Sequence, residues 1–275
     1  MVNILVPTDF SDLSKVALQY AIKVANAMDG NVTLLHAISI TQPTRASMRL
    51  KLNSLEEELV KYAKEDLETM VHETKDHVKT DHPIQLKVAM GDSFNITVLR
   101  EAKKLRSGLI IMGTRGASGV KKWILGSNTT AVIAVSHIPV LVVPELAVFK
   151  SFTNVVYACD LEHIERELTV IAPYVDRFKS VIHLIHVTKN PNAVSAIEEK
   201  IDTIIQKLGY GNVIVRVLVN EDVDVALEKY VMTVKADLLT MFTHHRKFYQ
   251  KLFDRSVTRK MAFHSKIPLL AFKQR

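Results

Sequence analysis

Short apolar runs alternate with longer amphipathic stretches, twice over, along 275 residues. This pattern predicts an α/β protein of two tandem doubly wound domains, each around a five-stranded parallel sheet. Two observations carry the prediction. The apolar runs are rich in Val, Ile and Leu without a polar residue at every second place, as strands covered on both faces are. Three landmarks also recur in the same order. NILVPTD at 3–9 resembles NVVYACD at 154–160, LLHA at 34–37 resembles LIHV at 184–187, and HIPVLV at 137–142 resembles KIPLLA at 266–271. Ordered self-similarity of this kind indicates duplication. The first pair is offset by 151 residues and the last by 129, so the second copy is 22 residues shorter. The joint falls at 145–151, giving one domain over 1–146 and a shorter one over 151–275.

In copy one, strands are predicted at 2–6, 31–37, 84–90, 108–113 and 140–143. Helices are predicted at 12–28, 54–79, 95–106 and 127–136. Ser11 or Asp12 can cap the first helix and Gly30 can close it. Ser54 and Glu57 have capping-box spacing for the second, whose stripe of Leu55, Leu59, Ala63, Leu67, Met70 and Val71 would pack on the sheet. The segment 39–53, with Arg45, Arg49 and Lys51, reads as a surface loop or as a flap over a site. Copy two repeats the plan with strands near 154–158, 181–187, 213–219, 237–243 and 268–272. Its missing residues are expected between the second and third strands.

Composition narrows the class of function. No apolar run approaches the ~18 residues of a membrane span. Met1 leads straight into an apolar strand rather than a signal-peptide series, and the single cysteine, Cys159, allows no internal disulfide. A cytoplasmic protein is therefore expected. The net charge of +7 is spread evenly, with 18 basic and 15 acidic residues up to Lys150 and 18 and 14 after it. Diffuse positive charge favours anionic ligands but argues against nucleic acid, which calls for a concentrated basic face.

The sharpest local signal is Gly113-Thr-Arg-Gly116, nine residues, then Gly126-Ser127. It lies between the apolar run 109–112 and an amphipathic stretch from Asn128. Strand, glycine loop and helix start together describe an anion cradle, because glycines permit close approach and a helix start offers unpaired N–H groups. In a doubly wound sheet, ligands bind beyond the strand ends where strand order reverses. With the order 3-2-1-4-5, Pro7-Thr8-Asp9 and the glycine loop reach one crevice. There Asp9 can accept bonds from a base or ribose, and the Ser127 and Thr129 hydroxyls can add bonds to phosphates. Arg115, Lys121 and Lys122 could neutralise charge. A lone Asp after a strand also serves as a turn or cap residue, and GxxG alone is weak. The pattern is neither a GxGxxG dinucleotide fingerprint nor a P-loop.

The opening NILVPTDFSDLSKVAL, the MGTRG…LGS loop and the closing IPVLVV resemble the universal stress protein family, whose nucleotide-binding members carry G-x2-G-x9-G-[ST]. The match is full at Gly113, Gly116, Gly126 and Ser127. The resemblance implies a tandem member with strand order 3-2-1-4-5, its two units forming an intramolecular pseudo-dimer through their last strands. It implies ATP as ligand, with or without Mg2+. The base and ribose would be held by Asp9, with neighbouring Pro7 and Thr8, by the backbone at Ala37, and beside Gly91. The phosphates would be surrounded by Met112, Gly113, Arg115, Gly116, Gly126, Ser127, Asn128 and Thr129. Partners implied are the nucleotide, a further copy of the chain and an unidentified protein.

Copy two departs from this pattern. Phe242, His245 and Arg255 stand where Gly113, Gly116 and Gly126 do, so side chains are expected to fill the phosphate space. Asp160 is kept, and 244–260 holds six basic residues against one acidic. Copy two is thus either a structural partner or a site for another anion. Eleven histidines form no recognisable metal set; His36 and His186 recur at one repeat position and read as satisfied rim residues. Cys159 reads as a small buried residue, and Trp123 as an anchor of the glycine loop. The leading functional reading is a nucleotide-binding stress-response regulator. A slow ATPase or autokinase, and a nucleotide-independent interaction module, are the alternatives.

Overall fold

The computed structural model describes residues 1–39, 46–114, 125–243 and 266–273, and of residues 46–54 the backbone alone. The chain divides into two compact units, the first ending at Glu145 and the second running from Leu146 onward. Each is doubly wound and parallel throughout.

Unit one contains β1 (Asn3–Thr8), α1 (Asp12–Met28), β2 (Asn31–Ser39), α2 (Ala46–Lys75) and β3 (Gln85–Gly91), then α3 (Phe94–Lys104), β4 (Leu109–Gly113), α4 (Ser127–Val135) and β5 (Val140–Val143). Its strand order is β3-β2-β1-β4-β5. Ile4, Leu5, Leu34, Leu35, Ile110 and Ile111 are almost wholly buried, as the unbroken apolar runs require. Helix α1 packs on β1, β2 and β4 and against α2, while α3 packs on β2 and β3 and against α4. The register sets Thr8 opposite His36, Ser39 opposite Gly91, and Gly113 opposite Val143. Every strand end that carries a predicted site residue therefore lies on one edge of the sheet.

Two local expectations are corrected. The second helix starts at Ala46, so Ser54 lies inside it rather than at its start. Apart from Ser47, residues 46–52 are Ala, Met, Arg, Leu and Lys, all good helix formers, and no Gly or Pro interrupts them. Residues 40–45, the rest of the supposed loop, lie outside the described residues. Ser11 does cap α1, accepting from the Ser14 N–H, but Asp29 rather than Gly30 takes the left-handed position, at φ 52°. Gly30 is required for a different reason. A Cβ there would sit 2.7 Å from the Val2 carbonyl oxygen, where the chain turns into β2.

Unit two contains β6 (Asn154–Ala158), α5 (Ile164–Val175), β7 (Val181–Thr188), α6 (Val194–Leu208), β8 (Val213–Val219), α7 (Val223–Thr233), β9 (Leu238–Phe242) and β10 (Leu269–Phe272). Its order, β8-β7-β6-β9-β10, is that of unit one. Residues 40–84 separate β2 from β3, whereas only 189–212 separate β7 from β8. That is where the missing residues were expected. The duplication is also written in the backbone. Left-handed non-glycine residues recur at matching turns: Phe10 and Leu161 (φ 64° and 78°), Asp29 and Lys179 (both 52°), Arg106 and Lys235 (49° and 51°).

Phe242 corrects a further expectation. Its side chain does not project toward the strand-end crevice. It is buried, stacked on Phe272 at 5.0 Å and edge-on to Tyr157. Tyr157 contacts Glu167, and Phe272 contacts Tyr174, both on α5. Strand alternation sends this position to the α5 face. His244, His245, Arg255, Ser256 and the basic stretch around them lie outside the described residues. Among the described residues no helix is long and apolar enough to cross a membrane.

Candidate functional site

The crevice of unit one is built from four backbone turns. β1 ends at buried Thr8, whose hydroxyl bonds the Ser14 hydroxyl (2.9 Å) and accepts from the Phe10 N–H (3.0 Å). Asp9 follows, exposed, with Oδ1 accepting from the Ser11 N–H (3.2 Å) and hydroxyl (2.6 Å). Asp9 is thus a turn residue, and its carboxylate has acceptor capacity beyond those two bonds. Phe10, forced to φ 64°, lays its ring 4.5 Å from the His36 ring. His36 Nδ1 lies 3.0 Å from the Thr8 carbonyl oxygen, which can only accept, so Nδ1 carries the proton.

β2 brings Ala37, half-buried and opposite Ala89, to the same edge. β3 ends at Gly91, where a Cβ would lie only 2.1 Å from Thr97 Oγ1. A side chain there would have to displace that of Thr97, in the first turn of α3. Pro7 and Met112 are buried, so they offer the crevice backbone rather than side chains.

The start of α4 completes the site. Gly126 is its N-cap, extended at ψ 151°, with no side-chain cap among the described residues and no acidic residue in its first turn. The Gly126 N–H bonds the Thr114 carbonyl, and the Thr114 N–H bonds the Val143 carbonyl. Thr129 is buried and donates to the Gly113 carbonyl (2.9 Å), clamping the helix start to the end of β4. Ser127 and Asn128 are exposed. A helix start of this kind carries the positive end of the helix dipole and N–H groups without partners inside the helix. Arg115, Gly116, Lys121, Lys122 and Trp123 lie outside the described residues.

Sequence reasoning named the glycines and Asp9 but missed several supporting groups. Thr8 and Ser14 brace the Asp9 turn, and His36 ties β2 to it. The Thr114, Ser93 and Thr97 hydroxyl oxygens are buried with no hydrogen-bond partner among the described residues. Thr114 lies in the glycine loop and was readable as a candidate donor. The other two reveal themselves only once α3 is seen to fold against Gly91. Among the described residues, no three His, Cys, Asp or Glu side chains gather as a metal set.

Fold and site together define a doubly wound α/β protein with its described site residues gathered at the strand ends. The model of the universal stress protein family matches residues 1–144. The chain is 31% identical over 145 residues to universal stress protein MJ0531 of Methanocaldococcus jannaschii, covering 51% of this chain and 81% of that one. It is 28% identical over 145 residues to universal stress protein YxiE of Bacillus subtilis, covering 51% and 97%. The chain belongs to the universal stress protein family. Solved structures share its fold along the full length. A universal stress protein from Archaeoglobus fulgidus aligns over 99% of this chain and 98% of its own, at a TM-score of 0.65 and 20% identity. A protein described as a putative universal stress protein, from Pseudomonas aeruginosa, aligns over 98% and 92%, at 0.57 and 17%.

Proposed function

We propose that unit one binds ATP and that the protein acts as a nucleotide-dependent regulator in a stress response. The observation that carries this reading is the uncapped start of α4, clamped to the end of β4 by the Thr129–Gly113 bond. A helix start normally takes a side-chain cap. Here Gly126 has no side chain with which to fill that place, and β4, which precedes α4, pairs with β1, whose end carries Asp9.

In this reading Asp9 accepts from the base or ribose hydroxyls, and the backbone at Ala37 borders the base. Gly91 borders the ribose through its backbone. The N–H groups of Ser127, Asn128 and Thr129 bond the phosphates, and Gly113, Arg115 and Gly116 are assigned to the same phosphates. Mg2+ would enter on the phosphates, shielding their charge. Hydrolysis is a separate question from binding: turnover above buffer in the purified chain would establish it.

The test is mass spectrometry of small molecules released from fresh protein, followed by calorimetric titration with ATP. One nucleotide per chain is expected. No released nucleotide and no heat would leave the glycine loop as structure and favour the interaction-module reading.

A further inference from the structure

Unit two keeps a cavity of about 140 Å³ at the ends of β6 and β7, walled by Ala158, Ile185, Val187, Val223 and Leu227. Matching turns and strands identify its counterpart in unit one. Asp160 answers Asp9 and accepts from the Glu162 N–H (3.0 Å), while Leu161 repeats the left-handed turn of Phe10. His186 answers His36, with Nδ1 lying 3.1 Å from the Cys159 carbonyl oxygen. The half of the crevice that would hold a base and ribose has thus been preserved, while the glycines of the phosphate half are gone from the sequence.

The chemistry of the walls specifies the ligand. The body of the cavity is aliphatic and suits a flat apolar ring. His186 Nδ1 must donate to the carbonyl, which leaves the other nitrogen of a neutral ring as an acceptor. Burial lowers the His186 pKa, which favours that neutral form. Asp160 is likewise an acceptor. Two acceptors beside an apolar wall call for a ligand with N–H or O–H donors, and the sequence no longer offers the glycines that would let backbone approach a phosphate tail. Covalent capture is not part of this design, because burial pushes the Cys159 thiol up to about 12 and keeps it protonated.

We propose that unit two binds an unphosphorylated nucleoside, so that one chain reads nucleotide in its first unit and nucleoside in its second. The choice of nucleoside rests on the reading of unit one as a nucleotide site. Asp160 would take the ribose diol, and Val187, in place of the smaller Ala37, would pack on the base.

The test uses the full chain with labelled Ile, Leu and Val methyls, followed by NMR during adenosine titration. Saturable shifts are expected at Ile185, Val187, Val223 and Leu227, and they should persist in an Asp9→Asn chain. Asp160→Asn should weaken them by about tenfold or more, the loss of a charge-assisted hydrogen bond. Val187→Trp, which fills the cavity, should abolish them while the remaining methyl spectrum confirms folding. ATP should move methyls of unit one, such as Val98, and leave these four in place. Still methyls at millimolar adenosine, an Asp160→Asn chain that binds as before, or ATP acting on the four as adenosine does would each overturn the proposal. A silent unit one under ATP would refute the nucleotide reading separately.

Discussion

Single residues decide the two ends of the unit-one crevice by opposite means. At the β1 end a strained residue is tolerated. Phe10 sits in the left-handed region at φ 64°, which costs a bulky side chain about 1–3 kcal/mol. The Thr8, Asp9 and Ser11 side-chain bonds hold it there. At the α4 end a stabilising residue is withheld, since Gly126 leaves the helix start without a side-chain cap. Ser127→Asp should reveal what that omission serves. A carboxylate in the first turn favours the helix dipole, so thermal stability should hold or rise by about 0.5 kcal/mol. The same charge would repel phosphates, so calorimetric ATP affinity should fall at least tenfold, on the order of 1.4 kcal/mol. Loss of stability together with unchanged affinity would show that α4 does not face the ligand. Gly30→Val tests the other kind of glycine. Its Cβ would press on the Val2 carbonyl at 2.7 Å, and a loss of about 2 kcal/mol or more is expected in denaturant melts, with little change in ATP affinity per folded chain.

At the scale of elements, the strands were the most legible part. Unbroken runs such as 109–112 and 140–143 cannot be half-exposed, so periodicity placed them within a residue or two. The start of α2 was not legible in the same way. Ser54 and Glu57 imitate a cap, but good helix formers on both sides let the helix run through them from Ala46. Side-chain direction was harder still. The Thr129 hydroxyl, read as a phosphate ligand, donates to the Gly113 carbonyl, because the packing of α4 on β4 decides where it points. Phe242 was expected in the crevice, yet its ring joins the core on the α5 face. Glycine spacing thus announces where backbone comes close. Which face a side chain takes depends on register and on the helix above it.

At the scale of the molecule, the two units have exchanged roles for buried carboxylates, and pH separates them. Glu101 on α3 is buried, a cost outweighed by hydrogen bonds from Lys104, Arg100 and Lys87, and its pKa falls from 4.5 to about 2. Its contribution is present above pH 4.5 and is lost as pH falls through 2. With Arg100 and Lys104 partly in solvent, that amounts to about 2 kcal/mol. Glu167 on α5 is buried in unit two, against Tyr157. Burial, helped by the nearby Asp160 charge and opposed by the Tyr157 hydroxyl, raises its pKa from 4.5 to about 7. Here the folded state holds the proton more tightly than the unfolded chain does. Its contribution is therefore complete below pH 4.5 and is lost as pH rises through 7, on the order of 3 kcal/mol. Hydrogen exchange resolved by peptide, corrected for intrinsic rates, should show β6 and α5 losing protection between pH 5 and pH 8, with β1 and α3 unchanged in that window. Glu167→Gln keeps a partner for the Tyr157 hydroxyl but carries no charge, so it should flatten the loss and stabilise unit two at pH 8. If β6 and α5 stay equally protected across the window in the native chain, then water or rearrangement already relieves the buried charge of Glu167. The carboxylate would then be a passive consequence of repacking around the aromatic cluster.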